Sequence, residues 1–215
     1  MGLLSIFKKK KSFPNRTIEE LKSHVKILFI DDENFNIVKQ LKEKDGWRNI
    51  TRLSDLDSIS QTELLDAHVV LVDIQGVGKK LGFKDGGLGI IQAIHREYPE
   101  KKIIMYSAES QGQIDAFHSA LDLIDGRLRK TASRYEFASK IERLSKEAFC
   151  LDNCVKQVKK VLLRELNVDI SEQEIRTIIE SIYNNDITEP SAMAKYFNLS
   201  NIGSAASIIQ LLLSL

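Results

Sequence analysis

Residues 27–33 read ILFIDDE: Ile27, Leu28, Phe29 and Ile30 run directly into Asp31, Asp32 and Glu33. An apolar run without polar alternation is what a strand covered on both faces requires. Adjacent aspartates repel each other and cost free energy to desolvate, so a pair at the end of a buried strand needs a compensating partner. Two more runs repeat the pattern. VVLV at 69–72 ends on Asp73, and IIMY at 103–106 ends on Ser107.

Working outward, weaker strand-like runs lie at 49–53 and 127–128. Helix-like runs fill the intervals at 34–44, 58–67, 88–98, 110–121 and 133–149, and Thr17 with Glu20 has the spacing of a capping box at a further short helix. Strands alternating with helices predict an α/β domain over 25–149, a doubly wound five-stranded parallel sheet. Connection rules favour strand order 2-1-3-4-5. The working surface of such a sheet lies beyond the carboxyl ends of its strands. Asp31, Asp32, Asp73 and Ser107 stand at those ends, and the fifth strand runs into Lys130.

Three crowded carboxylates call for a cation. Magnesium suits them: it takes oxygen ligands, keeps several waters and commonly binds one or two carboxylates plus a phosphate. With the ion in place one carboxylate can act as nucleophile toward a phosphoryl group. A lysine can pair with a phosphoryl oxygen, and a hydroxyl can donate to another once the group is there. Each residue alone has a plainer reading. Asp31, Asp32 and Ser107 could cap helices, Asp73 could sit in a turn, and Lys130 could be a solvated charge.

The order of these motifs resembles the receiver domain of two-component response regulators. That family has an acidic pair after strand one, a phosphorylated Asp after strand three, Thr or Ser followed by Ala after strand four, and a Lys after strand five. Here they read FIDDE, VVLVDIQG, MYSAE and RLRKTAS. The resemblance implies a flavodoxin-like sheet, Asp73 as phosphoacceptor, and Asp32 as direct Mg2+ ligand with Asp31 acting through water. It further implies the Gln75 carbonyl on the metal, and Ser107 and Lys130 on the phosphoryl group. The implied donor is a histidine kinase or phosphotransfer protein. The implied role is that of a switch in a phosphorelay rather than a metabolic enzyme. A receiver that keeps these residues without being phosphorylated, serving as a scaffold, is the alternative.

Three departures stand out. Residues 75–87, QGVGKKLGFKDGG, are longer than the usual connection, with five glycines, no Pro, and Lys79, Lys80 and Lys84 beside the site. A flap, a partner contact and a tolerated surface insertion all fit. Thr131 follows Lys130 where the family has a cis-Pro; a cis bond before a non-proline residue costs about 2.5–4 kcal/mol, so the strain is tolerated or the loop is rearranged. Arg127 replaces the usual aromatic residue, which leaves signalling to the fourth helix, the insertion or a salt link from Arg127.

Outside 25–149 lie a basic segment, 1–24, and a helical tail, 150–215. In MGLLSIFKKKKSF the apolar residues precede the lysines, the reverse of a secretory signal. Either a solubilising tail or a peripheral membrane contact through 1–13 fits, each lysine adding about 1 kcal/mol at an anionic surface. The tail reads as three or four amphipathic helices, an output or docking module. Its last helix suits a protein contact, a homodimer, or closure of its own core. A DNA-binding regulator is the other alternative, since SAMAKYFNLSNIGSAASII at 191–209 has a loose helix-turn-helix rhythm. Charge makes nucleic acid an unlikely partner: from Glu165 onward there are two basic and seven acidic residues, a net of −5. The whole chain carries +1, with 43% apolar and 28% charged residues, which fits a globular protein. Cys150 and Cys154 form no disulfide framework or zinc pattern, and no apolar run approaches the roughly 18 residues of a membrane span. A cytoplasmic setting is expected.

Overall fold

In the computed structural model the described residues are 13, 16–34, 36–108 and 119–213. They form two compact units, one spanning Arg16–Phe149 and the other residues 150–213 with Phe13.

The first unit follows the order α1 (Ile18–His24), β1 (Lys26–Ile30), α2 (Ile37–Glu43), β2 (Asn49–Leu53), α3 (Thr62–Asp66), β3 (Val69–Asp73), α4 (Gly87–Glu97), β4 (Lys102–Ser107), a 3-10 turn (Ser119–Leu123), β5 (Gly126–Arg129) and α5 (Arg134–Ala148). All strand pairs are parallel and the sheet order is β2-β1-β3-β4-β5, as the alternation of strands and helices predicts. The central strands are buried throughout, apart from Lys26 at the start of β1. On one face Leu28, Ile30, Val70, Val72, Ile103 and Met105 pack with Ile90, Ile91 and Ile94 of α4. Alternation turns Phe29 and Tyr106 to the other face, where the Tyr106 ring meets Phe29 and Phe137 of α5 edge-on. Thr17 and Ser133 each close a capping box, fixing where α1 and α5 begin. Of the helix expected over 110–121, residues 110–118 lie outside the described residues, and Ser119–Leu123 is the 3-10 turn.

The 75–87 segment is tied down. Val77 is buried, and Leu81 and Phe83 pack against the α4-side core. The Asp55 carboxylate, after β2, accepts the N–H groups of Gly78 (2.6 Å), Lys80 (3.1 Å) and its neighbour Leu56 (2.8 Å), and Lys80 pairs with Asp57 (2.7 Å). None of the readings drawn from the sequence, a flap, a partner contact or a tolerated surface insertion, includes this arrangement: the segment forms a packed wall joining the β2–α3 and β3–α4 loops.

The second unit is helical: α6 (Leu151–Leu166), α7 (Glu172–Asn184), α8 (Pro190–Tyr196) and α9 (Ala205–Leu213). Val155, Val158 and Leu162 of α6, Ile175, Ile179 and Ile182 of α7, Met193 of α8, and Ile208, Ile209 and Leu212 of α9 form its core. The apolar face of α9 therefore closes its own unit. Phe13 stacks on Tyr183 with ring centroids 4.7 Å apart, so this residue of the 1–13 segment packs on helices. The other residues for which a membrane contact was expected lie outside the described ones.

Candidate functional site

The register of β1, β3 and β4 assembles the site. Ile30 pairs with Val72, so Asp31 comes level with Asp73 one step on, and Asp73 pairs with Tyr106. Ser107 follows as the last residue of β4, opposite Arg129. Ligand atoms from Asp31, Asp32 and Asp73 lie within 4.8 Å of one another. Lys130, directly after β5, points its Nζ into this group, 2.8 Å from Asp73 Oδ2, 3.1 Å from Asp31 Oδ1 and 2.9 Å from Glu33 Oε2.

The three carboxylates have different surroundings. Asp31 is wholly buried: its Oδ1 takes the Glu33 N–H (2.9 Å) as well as Lys130, and its Oδ2 takes the Tyr106 hydroxyl (2.8 Å). Asp73 is 3% exposed, with Oδ1 accepting the Ile74 N–H at 2.8 Å. Asp32 is exposed and has no hydrogen-bond or ion-pair partner among the described residues. Its carboxylate lies flat on Gly76: a Cβ there would fall 2.0–2.2 Å from it, and Gly76 has a φ of 78°. Only glycine satisfies both demands.

Burial pushes the Asp73 carboxyl above its ordinary range, an effect that Lys130 partly offsets. Burial works against the Lys130 ammonium too, yet its bonds to Asp73, Glu33 and Asp31 carry its pKa above the usual value. Desolvation and the neighbouring Asp31 charge keep the Tyr106 phenol protonated.

The structure thus gathers Asp31, Asp32, Asp73 and Lys130 at one rim. Ser107 is buried on the same edge, its carbonyl accepting the Lys130 N–H at 2.7 Å. Gln75 lies in the turn after Asp73, its backbone N–H helping to hold that carboxylate. The Lys130–Thr131 bond is trans, and the Ala132 N–H closes a turn onto the Arg129 carbonyl at 2.9 Å, so this loop is rearranged rather than strained. No ion pair of Arg127 is found among the described residues, and its Nη2 is buried without a hydrogen-bond partner.

Sequence reasoning missed Tyr106, Glu33 and Arg52, whose Nη1 holds the carbonyls of Asp31 (2.6 Å) and Glu33 (3.0 Å). A tyrosine in an otherwise apolar strand was the available signal, since a buried hydroxyl needs a partner.

The donor set fits a hard divalent cation: only oxygens are offered, one carboxylate has free lone pairs, and a second stands beside it. No family model matches the chain, and no curated protein does. Solved structures do. A receiver domain protein from Methanospirillum hungatei JF-1 is 19% identical with a TM-score of 0.45, over 58% of this chain and 95% of that one. The response regulator TrrA from Thermotoga maritima, solved with Mg(2+)-BeF, is 23% identical with a TM-score of 0.43, over 56% and 98%. RcsB from Salmonella enterica serovar Typhimurium, bound to promoter rprA with BeF3-, is 19% identical with a TM-score of 0.45, over 86% and 87%. At these identities the likeness is one of fold.

Proposed function

We propose that this protein is a response regulator whose first unit accepts a phosphoryl group on Asp73 and whose helical unit passes the change to a protein partner. The observation that carries the proposal is Lys130 Nζ bridging Asp73 (2.8 Å) and Asp31 (3.1 Å) within a cluster of three carboxylates at the carboxyl edge of a parallel sheet.

In this reading an Asp73 oxygen attacks the phosphorus of a phosphohistidine on a histidine kinase or phosphotransfer protein. An O–P bond forms, the P–N bond breaks, and the imidazole keeps the electron pair and takes a proton from solvent. Asp32 and Asp73, with Asp31 behind them and the Gln75 carbonyl, would hold Mg2+, which when bound offsets charge on the transferring oxygens. Lys130 is already within reach of the acceptor and turns from Asp73 Oδ2 to the phosphoryl group. The Ser107 hydroxyl donates to another phosphoryl oxygen, drawing the end of β4 toward it. The adduct adds about −1.5 to −2 charge at the rim and changes which surface a partner meets. The proposal includes a cytoplasmic setting.

Mass spectrometry after incubation with Mg2+ and acetyl phosphate tests this. Wild type is expected to gain one hydroxylamine-labile phosphoryl group and Asp73→Asn none. An adduct on both proteins alike overturns the choice of acceptor, and an adduct on neither overturns the reading.

A further inference from the structure

The Tyr106 hydroxyl has no part in the proposed phosphoryl transfer, yet it lies inside the site. It stands on β4 next to Ser107 and level with Asp73, and it donates to Asp31 Oδ2 at 2.8 Å. The ring cannot easily turn away: it is fully buried, with Phe29 at 6.0 Å and Phe137 at 5.9 Å between centroids. The other oxygen of Asp31, Oδ1, already carries two donors, the Lys130 ammonium and the Glu33 N–H. Asp31 therefore has Oδ1 filled and Oδ2 drawn into the sheet, while its neighbour Asp32 keeps its oxygens free among the described residues.

Resting on the cation reading above, we infer that Tyr106 is a specificity-determining residue for the divalent ion: by holding Asp31 Oδ2 it keeps the third carboxylate out of direct coordination. The chemistry follows from ligand count. Magnesium is small, octahedral and reluctant to shed water, and it is served by one or two carboxylates. Calcium takes six to eight oxygens, often from several carboxylates, in flexible geometry. Three carboxylates within 4.8 Å would make a calcium site if all of them could turn to the ion. The phenol withholds one, leaving a water-rich site with Asp32 and Asp73 as its carboxylates. Removing the hydroxyl frees Oδ2; Lys130 and the Glu33 N–H remain on Oδ1, so Oδ2 is the oxygen of Asp31 left to turn to the cation.

Calorimetric titration with MgCl2 and with CaCl2 at fixed ionic strength tests this on the full chain. In Tyr106→Phe the ratio of Ca2+ to Mg2+ affinity is expected to shift toward Ca2+ by about tenfold, the scale on which groups that orient metal ligands act. The shift must vanish in Y106F/D31N, an outcome that mere loosening of the core would not produce. An unchanged ratio in Y106F, or a shift that survives D31N, overturns the inference. Should Y106F not fold, the single variants decide. D31N is expected to weaken Mg2+ binding by less than D32N does, and an equal or larger loss in D31N overturns the inference. If wild type binds neither ion, the cation reading itself fails. If wild type binds Mg2+ and the Y106F ratio is unchanged, only the role of Tyr106 falls.

Discussion

At the rim of the sheet the sign and burial of single side chains decide what each can do. Asp31 and Asp73 are both buried, and one ammonium, Lys130, serves them together. A like-charged pair of this kind tolerates loss of its cation poorly, because a buried carboxylate left unpaired costs the full desolvation penalty. His68 shows burial acting on another residue. Its Nδ1 lies 3.1 Å from the Lys26 N–H and accepts it, and burial, helped by the Lys101 and Lys26 charges, pushes its pKa down to about 4. A histidine depressed in the folded state favours folding above its unfolded pKa of 6.5, and that contribution is lost as pH falls toward 4. The loss is on the order of 2 kcal/mol. Urea midpoints should therefore drop between pH 6.5 and 4.5 in wild type and fall less in His68→Gln; parallel declines in the two proteins would refute the assignment. That Asp31, Asp32, Asp73, Ser107 and Lys130 share one edge was legible because each ends a strand or stands within two residues of its end, and a parallel sheet brings such positions together. Tyr106 was not, because its place in IIMY looks apolar and its partner, Asp31, is 75 residues away in the chain.

At the scale of elements, apolar runs and periodicity located all five strands and most helices, since those signals are local. The wall at 75–87 was not legible. It depends on Asp55, 23 residues before Gly78, whose carboxylate replaces the backbone partners that a loop would otherwise lack. Strand pattern gives no hint that an aspartate after β2 will order a loop after β3. The Lys130–Thr131 turn is similar: the sequence poses the choice between a cis bond and a rearranged loop, and only the path of the chain resolves it. The wall ends against the site, with Gly76 under Asp32. Gly76→Ala places a Cβ inside the Asp32 carboxylate and forces an L residue to a φ of 78°. Both effects act in one direction. Stability should fall by about 1–3 kcal/mol from backbone strain. Mg2+ affinity should fall as well, because Asp32 must move. Calorimetric titration of G76A against wild type checks this, with Gly82→Ala as a control: Gly82 has a φ of 71° but open space around its Cβ, so it shares the strain and spares the site. Equal Mg2+ affinity in G76A and G82A would show that Asp32 has no part in the ion site.

Across the whole molecule, the distribution of charge and apolar surface limits what a partner can recognise. The core of the helical unit takes up the apolar stripes of α6, α7 and α9, and the large apolar side chains left exposed among the described residues are Leu65, Tyr135 and Leu163. A partner would thus meet polar surface for the most part, and from Glu165 onward that surface is acidic, with a net charge of −5. Duplex DNA binds by exchanging its counterions for Lys and Arg, so each phosphate contact needs a cation and adds to the salt dependence. The helix that would serve for recognition, α9, has no Lys or Arg, and Lys195 of α8 is the single cation of the 191–209 segment. An electrostatic term of this sign opposes DNA contact by the segment from Glu165 onward, most strongly at low salt where screening is weakest, and the proposed phosphorylation of the first unit would add further negative charge. Electrophoretic mobility of a mixed pool of duplexes, measured at 50 and 200 mM salt with and without Mg2+ and beryllofluoride, should accordingly be unchanged by the protein. A retarded band that weakens steeply between the two salt concentrations would establish phosphate contacts, and the output of this protein would then be DNA rather than a protein partner.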